Sequence, residues 1–293
     1  MHMTLANTPP TVGWDLHCHT VFSDGTVTPA GMIQEAGRLG LHGVAIADHD
    51  TTAGWQEARL AAEEAGMPLV RGSEITSHDD GVSVHMLAYQ YDPDDAMLAG
   101  LFARTRAARR ERARQMVERL GRDYPITWES VLAQIKEGSR TTVGRPHIAD
   151  ALVAVGVYPT RSDAFAGAVS SHSPYYIPTP SPSAEEVIAA VRHAGGVSVV
   201  AHAADPSRNR RLLSRERIEH LAGEGLDGLE VWHRGNPVEG RRMLLDVAER
   251  CGLLVTGGSD WHGAGKPNVM GEFVTDDATV REIVRRGTLP LVQ

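Results

Sequence analysis

Cysteine, lysine and aromatic residues are scarce in this 293-residue chain. Its two cysteines, Cys18 and Cys251, are too few for a disulfide framework and point to a reducing compartment. No apolar run approaches the roughly eighteen residues a membrane helix requires. The opening residues MHMTLANTPP lack the basic flank and apolar stretch of a secretory leader, so a cytoplasmic protein free of the membrane is expected. Only two lysines, Lys136 and Lys266, stand against 27 arginines. The net charge of −8 argues against a protein that coats nucleic acid nonspecifically, while allowing a local basic pocket. Phe, Trp and Tyr together number 15, barely more than the 14 histidines, and imidazole is the commonest protein metal ligand. With 42% hydrophobic and 23% charged residues, the chain should fold, as one large barrel with an insertion or as two domains.

From Val12 the sequence alternates strand, turn and helix, the rhythm of a parallel sheet with helices outside. Strands are expected at Val12 to His19, Gly43 to Ala47, Leu69 to Thr76 and Val82 to Tyr89. Thr28 reads as an N-cap before Pro29, with Gly40 closing that helix. The third and fourth strands, separated by Ser77 to Gly81, are too close for a crossover helix and should form a hairpin. After Tyr91 the pattern turns helical for roughly 80 residues, including a long run from Asp94 to Arg122. The proline-rich stretch Tyr176 to Pro182 then reads as a semi-rigid return, and Ser183 to Glu186 as a capping box. Strands resume at Val197 to Ala201, Leu226 to Trp232 and Leu253 to Gly257. The expected organisation is a barrel in two parts, residues 12–91 and 176–293, with a helical insertion over 92–175 capping the active site.

His17 and His19 are two apart on a strand and so share a face, which suits chelation; Cys18 points the other way and reads as a small core residue. Further candidates recur at strand ends: Asp24 after the first strand, His49 after the second, Glu74 in the third, His85 in the fourth, His202 after the fifth, Asp260 and His262 after the last. In barrels the strand ends converge on one mouth. Any one of these nine alone is more often a core, surface or capping residue. Coincidence at one edge of six strands is a poor explanation for all of them. Nitrogen and oxygen ligands of this kind suit Mn, Fe, Zn, Co or Ni and exclude a structural zinc–thiolate site. Nine ligands exceed the needs of one ion, and two ions bridged by Glu74 leave some over, so three divalent ions are expected. Closely spaced ions generate hydroxide at neutral pH and clamp phosphoryl oxygens.

The motifs DLHCHT, SDG, DHD, GSE with a downstream His, AH and GSDWH, in that order from about Trp14 to His262, resemble the polymerase and histidinol phosphatase (PHP) family of phosphoesterases. The resemblance implies an α/β fold, a distorted seven-stranded (β/α) barrel, with a trinuclear centre, manganese foremost and iron or zinc as alternatives, held by the nine residues above. Ala203 departs from the proline usual in the family after this histidine. The insertion resembles that of the subgroup that removes the 3′-phosphate from nucleoside 3′,5′-bisphosphates and degrades short RNA from its 5′ end. That resemblance casts Arg145 as a phosphate contact. Arg109 and Arg112 are neighbours at i, i+3 and suited to one phosphate, with Arg110 and His147 as further substrate candidates. Without a metal site nearby, a solvated basic helix face would be the better reading of these arginines.

The mechanism expected is attack on the 3′-phosphorus by a hydroxide bridging two ions, with the arginines anchoring the 5′-phosphate. Asp24 and His49 are placed to touch both metal and substrate, and proton transfer to the leaving oxygen is left open among His202, His262 and a metal-bound water. A nucleotide or short oligonucleotide is the expected partner, and no protein partner is implied. Alternatives are a histidinol-phosphate or other small phosphomonoester phosphatase, and a non-catalytic PHP binding module. Amide hydrolysis is disfavoured because binuclear amidohydrolases commonly bridge their metals with a carbamylated barrel lysine, and neither lysine lies on a barrel strand. His42, His78, His172, His193, His220 and His233 are left as structural or surface residues.

Overall fold

The structure, a computed structural model, describes residues 8–137, 140–208 and 211–293; most of the segment read for a leader lies outside them. Seven strands form one sheet: β1 (Trp14–Cys18), β2 (Gly43–Ile46), β3 (Leu69–Asp79), β4 (Val82–Tyr89), β5 (Val197–Val200), β6 (Gly228–Trp232) and β7 (Leu254–Gly257). They neighbour one another in chain order. All pairings are parallel except those of β4 with β3 and β5, which are antiparallel. The backbone N–H of His19 donates to the Trp261 carbonyl (2.8 Å) and that of Trp261 to the His17 carbonyl (3.1 Å). These bonds draw β1 onto the segment after β7 and nearly close the barrel.

The alternation of side chains explains the layering. Leu16, Ala45, Val70, Leu87 and Val199 belong to an inner apolar cluster. Their neighbours Val44, Ile46, Leu69, Met86 and Val200 pack outward against the helices. Those helices are α1 (Pro29–Arg38), α2 (Trp55–Ala65), α7 (Ala184–His193), α8 (Arg215–Gly223) and α9 (Val238–Cys251), with α10 (Asp277–Arg286) adding Val280 and Ile283 to the inner cluster. Their ends are written locally. Thr28 caps α1 with Pro29 following, α2 ends on Gly66 in the left-handed conformation, and Ser183 with Glu186 makes a reciprocal capping box on α7.

β3 outruns its expected length: Ser77, His78 and Asp79 lie in the strand, leaving Asp80 and Gly81 as a two-residue turn with φ of 45° and 74°. Both positive φ values fit a hairpin turn whose twist matches the strands. The antiparallel course of β4 also corrects where His85 comes from. Its N-terminal half, not its C-terminal end, lies toward the mouth, where His85 pairs with Thr76.

Between β4 and α7 lie α3 (Ala96–Leu120), α4 (Trp128–Leu132), α5 (Arg145–Ala154) and α6 (Arg161–Ala166). Leu98, Leu101 and Phe102 of α3 join the outer barrel core. Farther along, Ala113, Met116, Val117 and Leu120 join a separate apolar cluster with Ile148, Leu152 and Val169. One long helix thus belongs to two cores. Among the described residues no helix is long and apolar enough to cross a membrane, and Cys18 and Cys251 are free thiols.

Candidate active site

A register shift between Asp15 and Cys18 shapes the end of β1. Leu16 stays in the inner cluster while Cys18 packs in the outer one, and the buried imidazoles of His17 and His19 both reach the mouth. There they meet His49, Glu74, His85, His202, Asp260, His262 and Asp24. Glu74 is the hub: its oxygens lie 3.4 Å from His17 Nε2, 3.1 Å from His19 Nε2, 3.2 Å from His49 Nδ1, 2.8 Å from His85 Nδ1 and 3.0 Å from His202 Nε2. Asp24 Oδ1 is 3.0 Å from His262 Nε2, and Asp260 Oδ1 is 3.3 Å from His19 Nε2.

Three overlapping sets have ligand atoms close enough to hold an ion: His19, Asp24, His49 and His262; His17, His19, Glu74 and Asp260; and His49, Glu74 and His85. His202 adjoins the last through Glu74. Six atoms in these sets are buried yet make no hydrogen bond: His17 Nε2, His19 Nε2, His49 Nδ1, His262 Nε2, Asp24 Oδ1 and Asp260 Oδ1. Leaving a buried polar atom unpaired costs roughly 1–3 kcal/mol, so six together would consume much of a net stability of about 5–15 kcal/mol. Cations would satisfy all six at once, and the residues present fit divalent metal.

The electrostatics agree. Burial pulls the His17 and His19 imidazoles down, but carboxylates outweigh it: Glu230, Glu74 and Asp260 hold His17 well above its ordinary range, and Asp260 and Glu74 lift His19 to about 9. Burial would raise Asp24, Glu74 and Asp260, yet His262 and His49 hold Asp24, His85 and His49 hold Glu74, and Lys266 and Arg208 hold Asp260, each well below the usual carboxylate range. Three anionic carboxylates in a dry pocket demand positive charge.

The support beneath these ligands is made of buried aspartates. Asp48 accepts from the Thr20 N–H (2.8 Å) and the hydroxyls of Thr20 and Ser23 (2.6 Å each), fixing the loop that bears Asp24. Asp15 accepts from the Ser259 N–H (2.9 Å) and hydroxyl (2.6 Å) and from the Gly271 N–H (2.8 Å), fixing the loop of Asp260 and His262. Asp50, His202 and Asp260 have positive φ values of 53°, 33° and 54°. Such strained positions gather where a site dictates geometry.

The insertion brings arginines to the same mouth. Arg109 Nη1 donates to Asp50 Oδ2 (3.1 Å) and Thr76 Oγ1 (2.6 Å), beside His49. Arg112 donates to the Thr179 hydroxyl and lies 5.8 Å from the Tyr176 ring, while its Nε is buried and unpartnered. Arg145 donates to the Val169 carbonyl (3.2 Å) and sits 5.3 Å from the Phe165 ring and 5.5 Å from that of Tyr176. Burial, with Arg145 and Arg109 adding repulsion, pulls Arg112 down to about 9. His147 is buried and accepts the Gly144 N–H (3.2 Å) at the start of α5. Arg110 is not brought to this face. One residue on from Arg109 is a turn of about 100°, and Arg110 is exposed, 5.3 Å from the Trp128 ring.

Comparison with known proteins identifies the family. A profile of the PHP domain matches residues 15–159. The chain is 30% identical over 265 residues to the 5′-3′ exoribonuclease Rnm of Salmonella typhimurium, covering 89% of each chain. It is 30% identical over 259 residues to the 3′,5′-nucleoside bisphosphate phosphatase of Chromobacterium violaceum, covering 86% of this chain and 88% of that one. The chain is a PHP-family metal-dependent phosphoesterase. A phosphoribosyl 1,2-cyclic phosphate 1,2-diphosphodiesterase of Eggerthella lenta is a 29% identical relative over 259 residues, 85% of this chain and 94% of the other. A crystal structure from Bifidobacterium adolescentis, provisionally described as a metal-dependent phosphoesterase, superposes with a TM-score of 0.95 at 68% identity, covering 96% and 98%.

Within this PHP barrel, several residues that the sequence left unmarked touch the cluster. Glu230 accepts His17 Nδ1–H (2.9 Å) and the His202 backbone N–H (2.8 Å), a carboxylate that orients imidazole ligands. Its signal was available: a lone acid in the apolar strand GLEVW. Arg208 Nη2 and Lys266 Nζ reach Asp260 Oδ2 at 2.6 and 2.8 Å, although both sit in loops whose sequence carries no mark. His233, set aside as structural, is buried with its ring 5.4 Å from that of His202.

Proposed function

We propose that this phosphoesterase removes the 3′-phosphate of nucleoside 3′,5′-bisphosphates, for example converting adenosine 3′,5′-bisphosphate to AMP and phosphate, and that it also shortens 5′-phosphorylated RNA from the 5′ end. The observation that carries this reading is the convergence of Arg109, Arg112 and Arg145 beside the imidazole–carboxylate cluster, with Arg112 and Arg145 facing no carboxylate among the described residues. An anion of phosphate size relieves that crowding of positive charge. The similarity to a bisphosphate phosphatase and an exoribonuclease at about 30% identity supports the same choice.

In this reading the nine strand-end residues hold three divalent ions, manganese first, with iron or zinc as alternatives. Ions bound there supply charge on the phosphoryl oxygens and a nucleophile from water at neutral pH. Arg109, Arg112 and Arg145 bind the 5′-phosphate and so set the distance at which the 3′-phosphate meets the cluster, with His147 lining the approach. Asp24 and His49, at the border of cluster and insertion, orient the 3′-phosphate. Burial holds His202 well below the ordinary imidazole range, and burial with Lys266 takes His262 down to about 4. Neither stores a proton at neutral pH, so both serve as ligands beside the leaving 3′-oxygen, and water held at the cluster would supply its proton. Residues 92–175 act as one capping subdomain on a barrel formed by 12–91 and 176–293. Two free cysteines fit the cytoplasm, where such nucleotide turnover takes place.

The test is phosphate release from adenosine 3′,5′-bisphosphate, histidinol phosphate, a ribose 1,2-cyclic phosphate and a short 5′-phosphorylated RNA, each with manganese and with chelator. Metal-dependent release of AMP from the bisphosphate, weakened by Arg145→Ala, is expected. Turnover of histidinol phosphate or the cyclic phosphate alone would overturn the substrate assignment. No turnover of any, with metal bound, would keep the phosphoesterase barrel and overturn the substrate assignment.

A further inference from the structure

The loop that carries Asp24 is held by the barrel on one side and by the insertion on the other. Lys136 Nζ donates to the Thr26 carbonyl (2.8 Å), the Thr141 hydroxyl to the Val21 carbonyl (3.0 Å) and the Thr142 N–H to the Phe22 carbonyl (3.0 Å). One further bond reaches the candidate ligand itself: Arg161 Nη1 donates to the Asp24 carbonyl at 2.8 Å. Arg161 is itself fixed. Asp150 of α5 accepts its Nε at 2.7 Å and its Nη2 at 2.5 Å, and the arginine side chain is only 15% exposed.

The same guanidinium packs against the loop after His262, where a Cβ added to Gly265 would meet Arg161 Nη1 at 2.5 Å. Thr26 ties the two loops together. Its N–H and hydroxyl both donate to the His262 carbonyl (3.1 Å each), and the Ala264 N–H donates to its hydroxyl (2.9 Å). Asp24 Oδ1 and His262 Nε2, 3.0 Å apart, make no hydrogen bond of their own. Their placement therefore comes from the backbone of these loops, and a guanidinium that fixes the Asp24 carbonyl fixes the peptide plane next to the ligand.

We propose that Arg161, braced by Asp150, is a positioning residue for the ion group of His19, Asp24, His49 and His262, so that the insertion sets how tightly the barrel holds one of its ions. The inference rests on the metal reading of that group. Residues behind a ligand commonly change metal affinity about 10–100-fold, and Arg161 acts on the ligand through its main chain.

The experiment measures manganese bound per chain across a series of chelator-buffered free-manganese concentrations, for wild type, Arg161→Gln, Arg161→Lys and Asp150→Asn, with circular dichroism to verify folding. In Arg161→Gln the uptake midpoint of one equivalent is expected to move roughly 10–100-fold to higher free metal while the other equivalents bind as in wild type. Asp150→Asn moves it the same way by less, and Arg161→Lys, which keeps a donor for the Asp24 carbonyl, recovers part of the loss. Should Arg161→Gln fail to fold, Asp150→Asn carries the test. Uptake curves of the folded variants that coincide with wild type, even where their thermal midpoints fall, overturn the proposal. A wild-type protein that takes up no divalent metal overturns the metal reading and this proposal together.

Discussion

Two polar clusters share the mouth of the barrel and are built in opposite ways. The imidazole–carboxylate cluster hangs on strand ends and their immediate loops. Its members face one another and leave six buried atoms without hydrogen bonds. The arginine face hangs on α3, α5 and the irregular return segment, and its members already have neighbours: Arg109 has Asp50 and Thr76, Arg112 has Thr179, Arg145 has the Val169 carbonyl. Strand ends in a closed sheet fix ligand atoms to within fractions of an ångström, which multinuclear coordination requires. Helices and loops suit a face that selects a substrate. In the proposed reading chemistry belongs to the barrel and selection to the arginines of the insertion, with Arg161 of the same insertion joining the two through the Asp24 carbonyl.

The largest effect is expected at Glu74, which touches five of the six cluster histidines. Glu74→Gln should lower kcat by roughly 10³-fold or more, about 4 kcal/mol of barrier, together with a loss of bound metal measured on the same sample. Arg145→Ala should break the other half alone. A fall of about 10²-fold in kcat/KM for the bisphosphate, with metal content and turnover of a simple aryl phosphate unchanged, would separate the two clusters. Glu230→Gln removes the charge and leaves one acceptor oxygen for the two donors of His17 and His202, and metal affinity should drop roughly 10–100-fold. The effect of pH is smaller and has a definite sign. His19, lifted to about 9, carries a proton in the metal-free protein at neutral pH and must release it to bind metal. Uptake should therefore liberate protons and strengthen as pH rises toward 9, as calorimetry in buffers of different ionisation enthalpy would record.

Much of the barrel cluster was legible because strand periodicity and strand order suffice to place it. His17, His19, His49, Glu74, His202, Asp260 and His262 all follow from knowing where strands end. His85 was found for a partly mistaken reason, since β4 is antiparallel and brings its N-terminal half to the mouth. The arginine face was less legible because helical spacing names neighbours without saying which face turns inward. Arg109 and Arg112 turn to the mouth while Arg110 lies over Trp128. Arg161 at the start of α6 and Arg208 and Lys266 in loops were invisible, because long side chains reach sites that no local pattern encodes. Glu230 could have been found, since a charge inside an apolar strand needs a buried partner.

The central claim, that the strand-end cluster is a multinuclear metal centre, is tested most directly by element-resolved mass spectrometry of the purified protein before and after exhaustive chelation. Close to three equivalents of divalent metal per chain, manganese foremost, lost together with phosphoesterase activity and restored with it, is the expected result. Less than one equivalent of any divalent metal in protein that is still fully active would contradict it.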